Sequence, residues 1–334
     1  TDGNANAATA FIQFQQGGTG IGKIGDLASG RSAMMLYSDS GKELMFFTNG
    51  QNATSDTPAI TIDTSQNVGI GTTDPNEKFT VSGAVSALSG YCSDALCNSK
   101  FGTKALCSNT TGARNTASGY HAFRTNTEGC HNVAIGLYSL LQSTTANFNT
   151  AVGSCALYSN TTGTYNTALG YRSLCANTTG QANTASGYRA LASNTTGCFN
   201  TASGYAAMQE NTTGCENSAF GRKAMCQNTT GCNNTAVGMA ALVGNLTGCY
   251  NVAVGNRALV ATTSSLNTGV GYLALCKNTS GNSQVAVGAC ALHTNTTGGD
   301  NVAIGKQAGQ DITTGDNNIL IGLDAGRSGS PSGP

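Results

Sequence analysis

The chain has 334 residues, a formal net charge of zero and only 10% charged residues, with 45 glycines, 4 prolines, 13 cysteines and no tryptophan. Disordered chains are usually charged and proline-rich, so a weakly charged sequence of Asn, Thr, Ser and Gly argues for order. Zero net charge provides no field to gather nucleic acid or anionic membrane, and no apolar run approaches the ~18 residues of a membrane span.

The chain opens TDGNAN, without Met or a leader, which reads as a processed or incomplete N-terminus. In residues 1–60 the segments FIQFQ (11–15), MMLYSD (34–39) and LMFFTN (44–49) alternate or run apolar, separated by Gly, Asp and Ser. They predict short antiparallel strands of a small β domain that caps the repeat array or attaches it to something else. GGTGIGK (17–23) meets the GxxxxGK part of a phosphate loop, but Ile24 stands where Ser or Thr holds magnesium. No helix-forming segment comes after it, so turn glycines are the better reading. Residues 61–97 form a connector.

From residue 98 to 326 the sequence repeats. Gly102 recurs every 17 residues as far as Gly322, apart from one step of 16 between Gly255 and Gly271. Asn stands four before each of these glycines, except at Gln284, and Ala stands two before nearly all of them. The position one before varies: Ser118, Ile135, Val152, Leu169, Phe220 and Val237 are examples. Leu, Phe or Met stands four after, until Gly309 and Gly326, and an NTTG segment begins seven after.

The short β-branched segment N-T/V-A-V/I-G alternates, which marks a strand. A corner, a second short strand (YRSL-like) and the NTTG turn would complete one coil. Stacked coils make a parallel solenoid with rungs ~4.8 Å apart, in which each residue sits on its own copy and Asn ladders bond along the stack. The expected fold is therefore all-β: a parallel β-solenoid (β-roll or β-helix) of about fourteen coils, a small N-terminal β domain, and a flexible tail at 327–334. Ile135, Val152, Val237, Val254, Val287 and Ile304 are expected inside the coil. The Ala column, on the opposite strand face, would then need cover from a neighbour.

The chemistry is sparse. His121, His131 and His293 fall in different columns, and no dense acidic spacing suggests calcium around Asp311 and Asp316. No catalytic set, metal site or cofactor site is assigned. No cysteines form CxxC, but they keep phase: Cys130 and the consecutive Cys198, Cys215, Cys232 and Cys249 all stand eleven after the glycine. Rung spacing suits disulfide-bonded Cα pairs, so the column reads either as disulfides or as stacked packing thiols. Asn109, Asn160, Asn177, Asn194, Asn211, Asn228, Asn245, Asn278 and Asn295 each begin N-x-S/T, as do Asn52 and Asn233. The nine column positions are candidate N-glycan acceptors or, on the plainer reading, turn residues. The Tyr120, Tyr171, Tyr188, Tyr205 and Tyr272 column is a binding face for sugars or proteins or, on the favoured reading, corner packing.

NVAIG (132–136), NVAVG (251–255), QVAVG (284–288) and NVAIG (301–305) resemble the repeat of trimeric autotransporter adhesin heads, although the family repeat is shorter than 17 residues. The NTTG…NTASGY form, with NVGIG (67–71) and EKFTVSG (77–83) before it, is similar to repetitive shafts of tail-fibre-domain proteins in phages, large viruses and some bacteria. The resemblance implies left-handed β-rolls, three chains around one axis, and often a C-terminal self-cleaving chaperone domain. It implies a non-catalytic adhesive fibre, extracellular or on a virion, that binds a cell-surface receptor or glycan. Nucleic-acid binding and membrane insertion are not expected. One alternative is a glycosylated extracellular filament subunit that polymerises head to tail. Another is a tailspike-type polysaccharide-degrading enzyme, which needs paired carboxylates. The array's Glu128, Glu210, Glu216, Asp300, Asp311, Asp316 and Asp324 are spread thinly for that.

Overall fold

The computed structural model describes residues 96–327 continuously and, before them, Ser65 and seven strands. The chain divides into two compact units, Thr1–Ser86 and Ala87–Pro334. In the first unit β1 (Phe11–Gln16), β2 (Thr19–Asp26) and β3 (Met34–Ser38) form an antiparallel sheet. Lys23 and Ile24 lie inside β2, opposite Gln13 and Ile12, so the GxxxxGK segment enters a hairpin strand. A second sheet joins β4 (Leu44–Phe46), β5 (Ile60–Ile62), β6 (Val68–Ile70) and β7 (Phe79–Val81). Its β6–β7 pair is parallel and its other pairs are antiparallel. This sheet crosses residue 60, so part of the expected connector shares a sheet with β4. Asn52, Cys92 and the 328–334 part of the tail lie outside the described residues.

The second unit is a parallel β-solenoid with a 17-residue repeat, and its described residues contain no helix. Its strands are β8 (Ser99–Phe101), β9 (Thr116–Ser118), β10 (Val133–Ile135), β11 (Thr150–Val152), β12 (Thr167–Leu169), β13 (Thr184–Ser186) and β14 (Thr201–Ser203). They continue with β15 (Ser218–Phe220), β16 (Thr235–Val237), β17 (Val252–Val254), β18 (Thr268–Val270), β19 (Val285–Val287), β20 (Val302–Ile304) and β21 (Ile319–Ile321). All fourteen form one sheet in chain order, each in register with the next, as in Ala134 opposite Ala151.

Each coil carries this one strand. The expected second strand is replaced by turns, because two residues there take left-handed backbone: in one coil these are Arg172 (φ 54°) and Leu174 (φ 48°). The turns still bond rung to rung, as Leu174 N–H donates to the Ala190 carbonyl at 3.0 Å. Two glycine columns let rungs approach closely. Gly170 has φ 132°, and a Cβ on it would sit 2.6 Å from the Gly187 carbonyl oxygen. A Cβ on Gly197 of an NTTG segment would sit 2.5 Å from Asn194 Oδ1.

The strand faces are the reverse of the expectation. The middle Ala points inward and is fully buried from Ala134 to Ala303, whereas Ile135, Val237, Val254, Val287 and Ile304 are exposed and Val152 is half-buried. The interior is narrow. Ala134, Ala151 and their copies, the Ala or Ser three after each glycine, and one Leu, Phe or Met per coil fill it. The Ala column is thus covered by its own coil. In the last coils the packing inverts: Leu320 occupies the Ala position, and Gly309 and Gly326 occupy the Leu position. Leu320 Cδ1 would lie 2.8 Å from a Cβ on Gly309.

Two Asn ladders line the interior. Asn200 N–H donates to Asn183 Oδ1 at 3.0 Å, and its Nδ2 donates to that oxygen at 3.1 Å and to the Gly214 carbonyl at 2.8 Å. In the NTTG column, Asn194 Nδ2 donates to Asn177 Oδ1 at 2.8 Å and to the Gly197 carbonyl at 3.0 Å. The 16-residue step interrupts this second ladder. Thr262 takes the Asn position, and Asn245 Oδ1 is buried without a hydrogen-bond partner.

Truncating Asn200 to Ala strands the Asn217 N–H, which donates to Asn200 Oδ1 at 3.1 Å, whereas the Gly214 carbonyl keeps its bond from Asn211 Nδ2 at 3.0 Å. Leaving a buried N–H unpaired costs ~1–3 kcal/mol, so Asn200→Ala is expected to destabilise the array by about 2 kcal/mol. The outward Thr201→Ala should change it by less than about 0.5 kcal/mol. Urea unfolding followed by circular dichroism checks both.

Candidate interaction surface

The outer strand face carries an exposed apolar column. Ile135, Leu169, Phe220, Val237, Val254, Val287 and Ile304 form one column, each between 36% and 43% exposed. The Thr, Val or Ser residues two positions before them form a parallel column. From β9 to β21 neither column contains a charged residue. Variation among the internal repeats was the signal for this face. A column that accepts Ser118, Leu169 and Phe220 in different copies is not a close-packed interior, whereas the near-uniform Ala column is.

The tyrosine column also lies outside. Tyr120, Tyr171, Tyr188, Tyr205 and Tyr272 are all exposed, so none is buried in the coil. Tyr171, Tyr188 and Tyr205 stack in turn, with ring centroids 5.5 and 5.1 Å apart. Their ring faces therefore cover one another. A second aromatic stack runs through His131, Phe148 and Tyr165, with centroids 4.9 and 5.1 Å apart. Arg114 Nη1 lies 3.2 Å from His131 Nε2, and Arg124 Nη1 lies 3.4 Å from His121 Nδ1. Burial lowers the pKa of His121 and His293, with neighbouring cations adding to it. The three histidines do not meet. Among the described residues no group of three or more His, Cys, Asp or Glu side chains is placed to hold a metal ion.

The glycan candidates are interior residues. Asn160, Asn177, Asn194, Asn211, Asn228, Asn245, Asn278 and Asn295 are fully buried, and Asn109 is half-buried. Except at Asn295, whose Nδ2 is buried without a partner, the nitrogen that would carry a sugar already donates inside the coil, as Asn211 Nδ2 does to Asn194 Oδ1 at 2.7 Å. The sequon pattern here is the ladder pattern: Asn must bond its copy, and the following Thr hydroxyl bonds the next rung, as Thr195 does to the Thr212 carbonyl at 3.1 Å. Asn233, in another column, is half-buried.

The cysteine column stacks as expected, and its thiols are free. Each sulfur accepts a backbone N–H from the preceding rung: Cys198 N–H reaches Cys215 Sγ at 3.1 Å, Cys215 N–H reaches Cys232 Sγ at 3.2 Å, and Cys232 N–H reaches Cys249 Sγ at 3.2 Å. Burial pushes the thiol pKa up at Cys175, Cys215, Cys226 and Cys276.

Folded protein secreted from a glycosylating host should carry no sugar on Asn160, Asn177, Asn194 or Asn211 by intact-mass and peptide mapping, any such sugar being confined to material that fails to fold. Iodoacetamide mapping should label exposed Cys107 before buried Cys226. Because the raised pKa delays the thiolate, the Cys226 rate should still climb at pH values where an ordinary thiol has levelled off.

No family model, curated protein or solved structure matches this chain.

Proposed function

We propose that this chain is a structural shaft, a stiff non-catalytic fibre element whose copies associate through the outer strand face. The observation that carries this reading is the uncharged outer column from Ile135 to Ile304, apolar at every rung except Ser186 and Ser203. A partner that covers it at every rung needs the same axial period and a matching apolar row. Another copy of this chain meets both conditions. Apolar burial contributes about 25 cal/mol per Å², so a small gain per rung accumulates along the sheet. Three copies around one axis is the arrangement that the adhesin-like NVAIG repeats imply. The argument for it now rests on the Val/Ile column, since the Ala column is already covered within the chain.

The fibre would hold a receptor- or glycan-binding surface away from a cell or virion. The exposed tyrosine edge offers phenol hydroxyls and ring edges for such contacts. A head-to-tail filament is the second reading. It is favoured by β21, the outer strand of the sheet, and the turn after it, where Ile319, Ile321 and Leu323 are 76%, 67% and 68% exposed.

Light scattering coupled to size-exclusion chromatography should give a trimer for the wild-type chain. The Val237→Asp/Val254→Asp variant should run as a monomer with an unchanged circular dichroism spectrum. A monomeric wild type would remove the lateral assembly, and end-to-end rods under the electron microscope would select the filament.

A further inference from the structure

The Cys198, Cys215, Cys232 and Cys249 column has chemistry that neither packing nor backbone hydrogen bonding requires. Its position in the coil can hold a side-chain acceptor, although Ala113 and Gly299 stand there without one. On other rungs oxygen does the same at shorter range: Asn147 Oδ1 accepts from Cys130 N–H at 2.7 Å, Ser265 Oγ from Cys249 N–H at 3.0 Å, and Asp316 Oδ1 from Gly299 N–H at 2.7 Å. Four consecutive sulfurs therefore exceed what the fold asks for.

The sulfurs are held in one repeated conformation. Each also donates to the carbonyl two residues before it: Cys198 to Thr196 at 3.2 Å, Cys215 to Thr213 at 3.4 Å, Cys232 to Thr230 at 3.4 Å and Cys249 to Thr247 at 3.6 Å. Equivalent sulfurs on successive coils are thus separated by about the rung repeat, ~4.7–4.9 Å. A disulfide needs about 2.05 Å. A metal–thiolate bond of about 2.3 Å, the zinc value, gives a linear sulfur–metal–sulfur span of about 4.6 Å. The undistorted ladder fits the second length. All four thiols are half-buried, so solvent reaches them.

We propose that this column is a binding strip for a soft, two-coordinate d10 cation, Cu(I) being the natural fit, with each ion bridging the sulfurs of neighbouring rungs. The absence of three converging ligands among the described residues selects cations content with two, and thiolate selects soft ones. In the binding step one M⁺ and two thiols give an anionic S–M–S bridge, and two protons leave to solvent. No electron moves. The backbone N–H groups already aimed at each sulfur stabilise the resulting negative charge. The strip stands whether or not copies associate through the strand face.

The test compares equal numbers of thiols placed differently. The nine other cysteines, 13 less these four, are changed to Ser. One variant then keeps the adjacent pair Cys215 and Cys232. The other keeps Cys198 and Cys249, which are three rungs apart. Serine is compatible with the column, as Ser265 shows, and circular dichroism checks the fold. Under anaerobic titration with Cu(I) against a competing chelator, the adjacent pair should bind one ion at least 100-fold more tightly than the separated pair. X-ray absorption should report two sulfur ligands. Equal affinities, or an oxygen or nitrogen in the first coordination sphere, would overturn the strip. If the serine background does not fold, Cys215→Ser/Cys232→Ser in the otherwise native chain provides the second reading. It should lose tightly bound Cu(I) that Cys107→Ser/Cys276→Ser retains, and no difference between the two would overturn the proposal.

Discussion

The amide-to-amide hydrogen bond between an Asn and its own copy one rung away is the interaction on which this fold depends. A coil this thin has almost no apolar volume to bury, and its main chain passes close to itself. Asn can donate to a carbonyl in its own coil and accept from the next coil with one short side chain. Asn183, Asn200 and Asn217 do this without a gap, each supplying an oxygen to the next residue's N–H and Nδ2. Ser, Thr and Gln are the substitutes where the column departs from Asn, as at Ser143, Thr262 and Gln284. The glycines arise from the same constraint, because the amide and the neighbouring carbonyl occupy the space where a Cβ would stand.

The period, the strand position and the parallel stack were legible in the sequence, since a 17-residue register with Asn, Ala and Gly columns permits little else. Which strand face points inward was not. A three-residue strand shows a single alternation, and Thr-Ala-Val is apolar in either phase. Size decides it: the interior accepts a methyl group and one long side chain per coil, so Ala151 goes in while Thr150 and Val152 go out. The left-handed Leu column was also hidden. Leu is an uncommon residue at positive φ, and nothing in its side chain announces that Leu157 (φ 51°), Leu174 (φ 48°) and Leu191 (φ 52°) adopt it. The NTT triplets misled because a sugar acceptor motif and a ladder motif are spelled alike.

Turning the strand inside out changes where function is sought. The side chains that vary from copy to copy are the outward ones, and they carry the chain's chemical variety: aliphatic rows, stacked phenols, arginines and thiols, each in its own lane along the array. The scaffold makes any such lane periodic. A residue repeated on successive coils becomes a row of identical groups at fixed spacing. The two-sulfur match at Cys215 and Cys232 arises from that geometry, as do the stacked rings of Tyr171, Tyr188 and Tyr205.

The short coil between Gly255 and Gly271 has a mechanical meaning. On one side the inner amides run unbroken from Asn160 to Asn245, and at the short coil Asn278 must reach Thr262 Oγ1, at 3.2 Å, in place of another amide. Cooperative polarisation along a hydrogen-bonded chain stops where the chain stops. This ladder is thus cut at Thr262, as it is at Ser143, while the strand pairing and the other Asn column continue across the short coil; pulled along its axis, the array is expected to open first at these cut rungs.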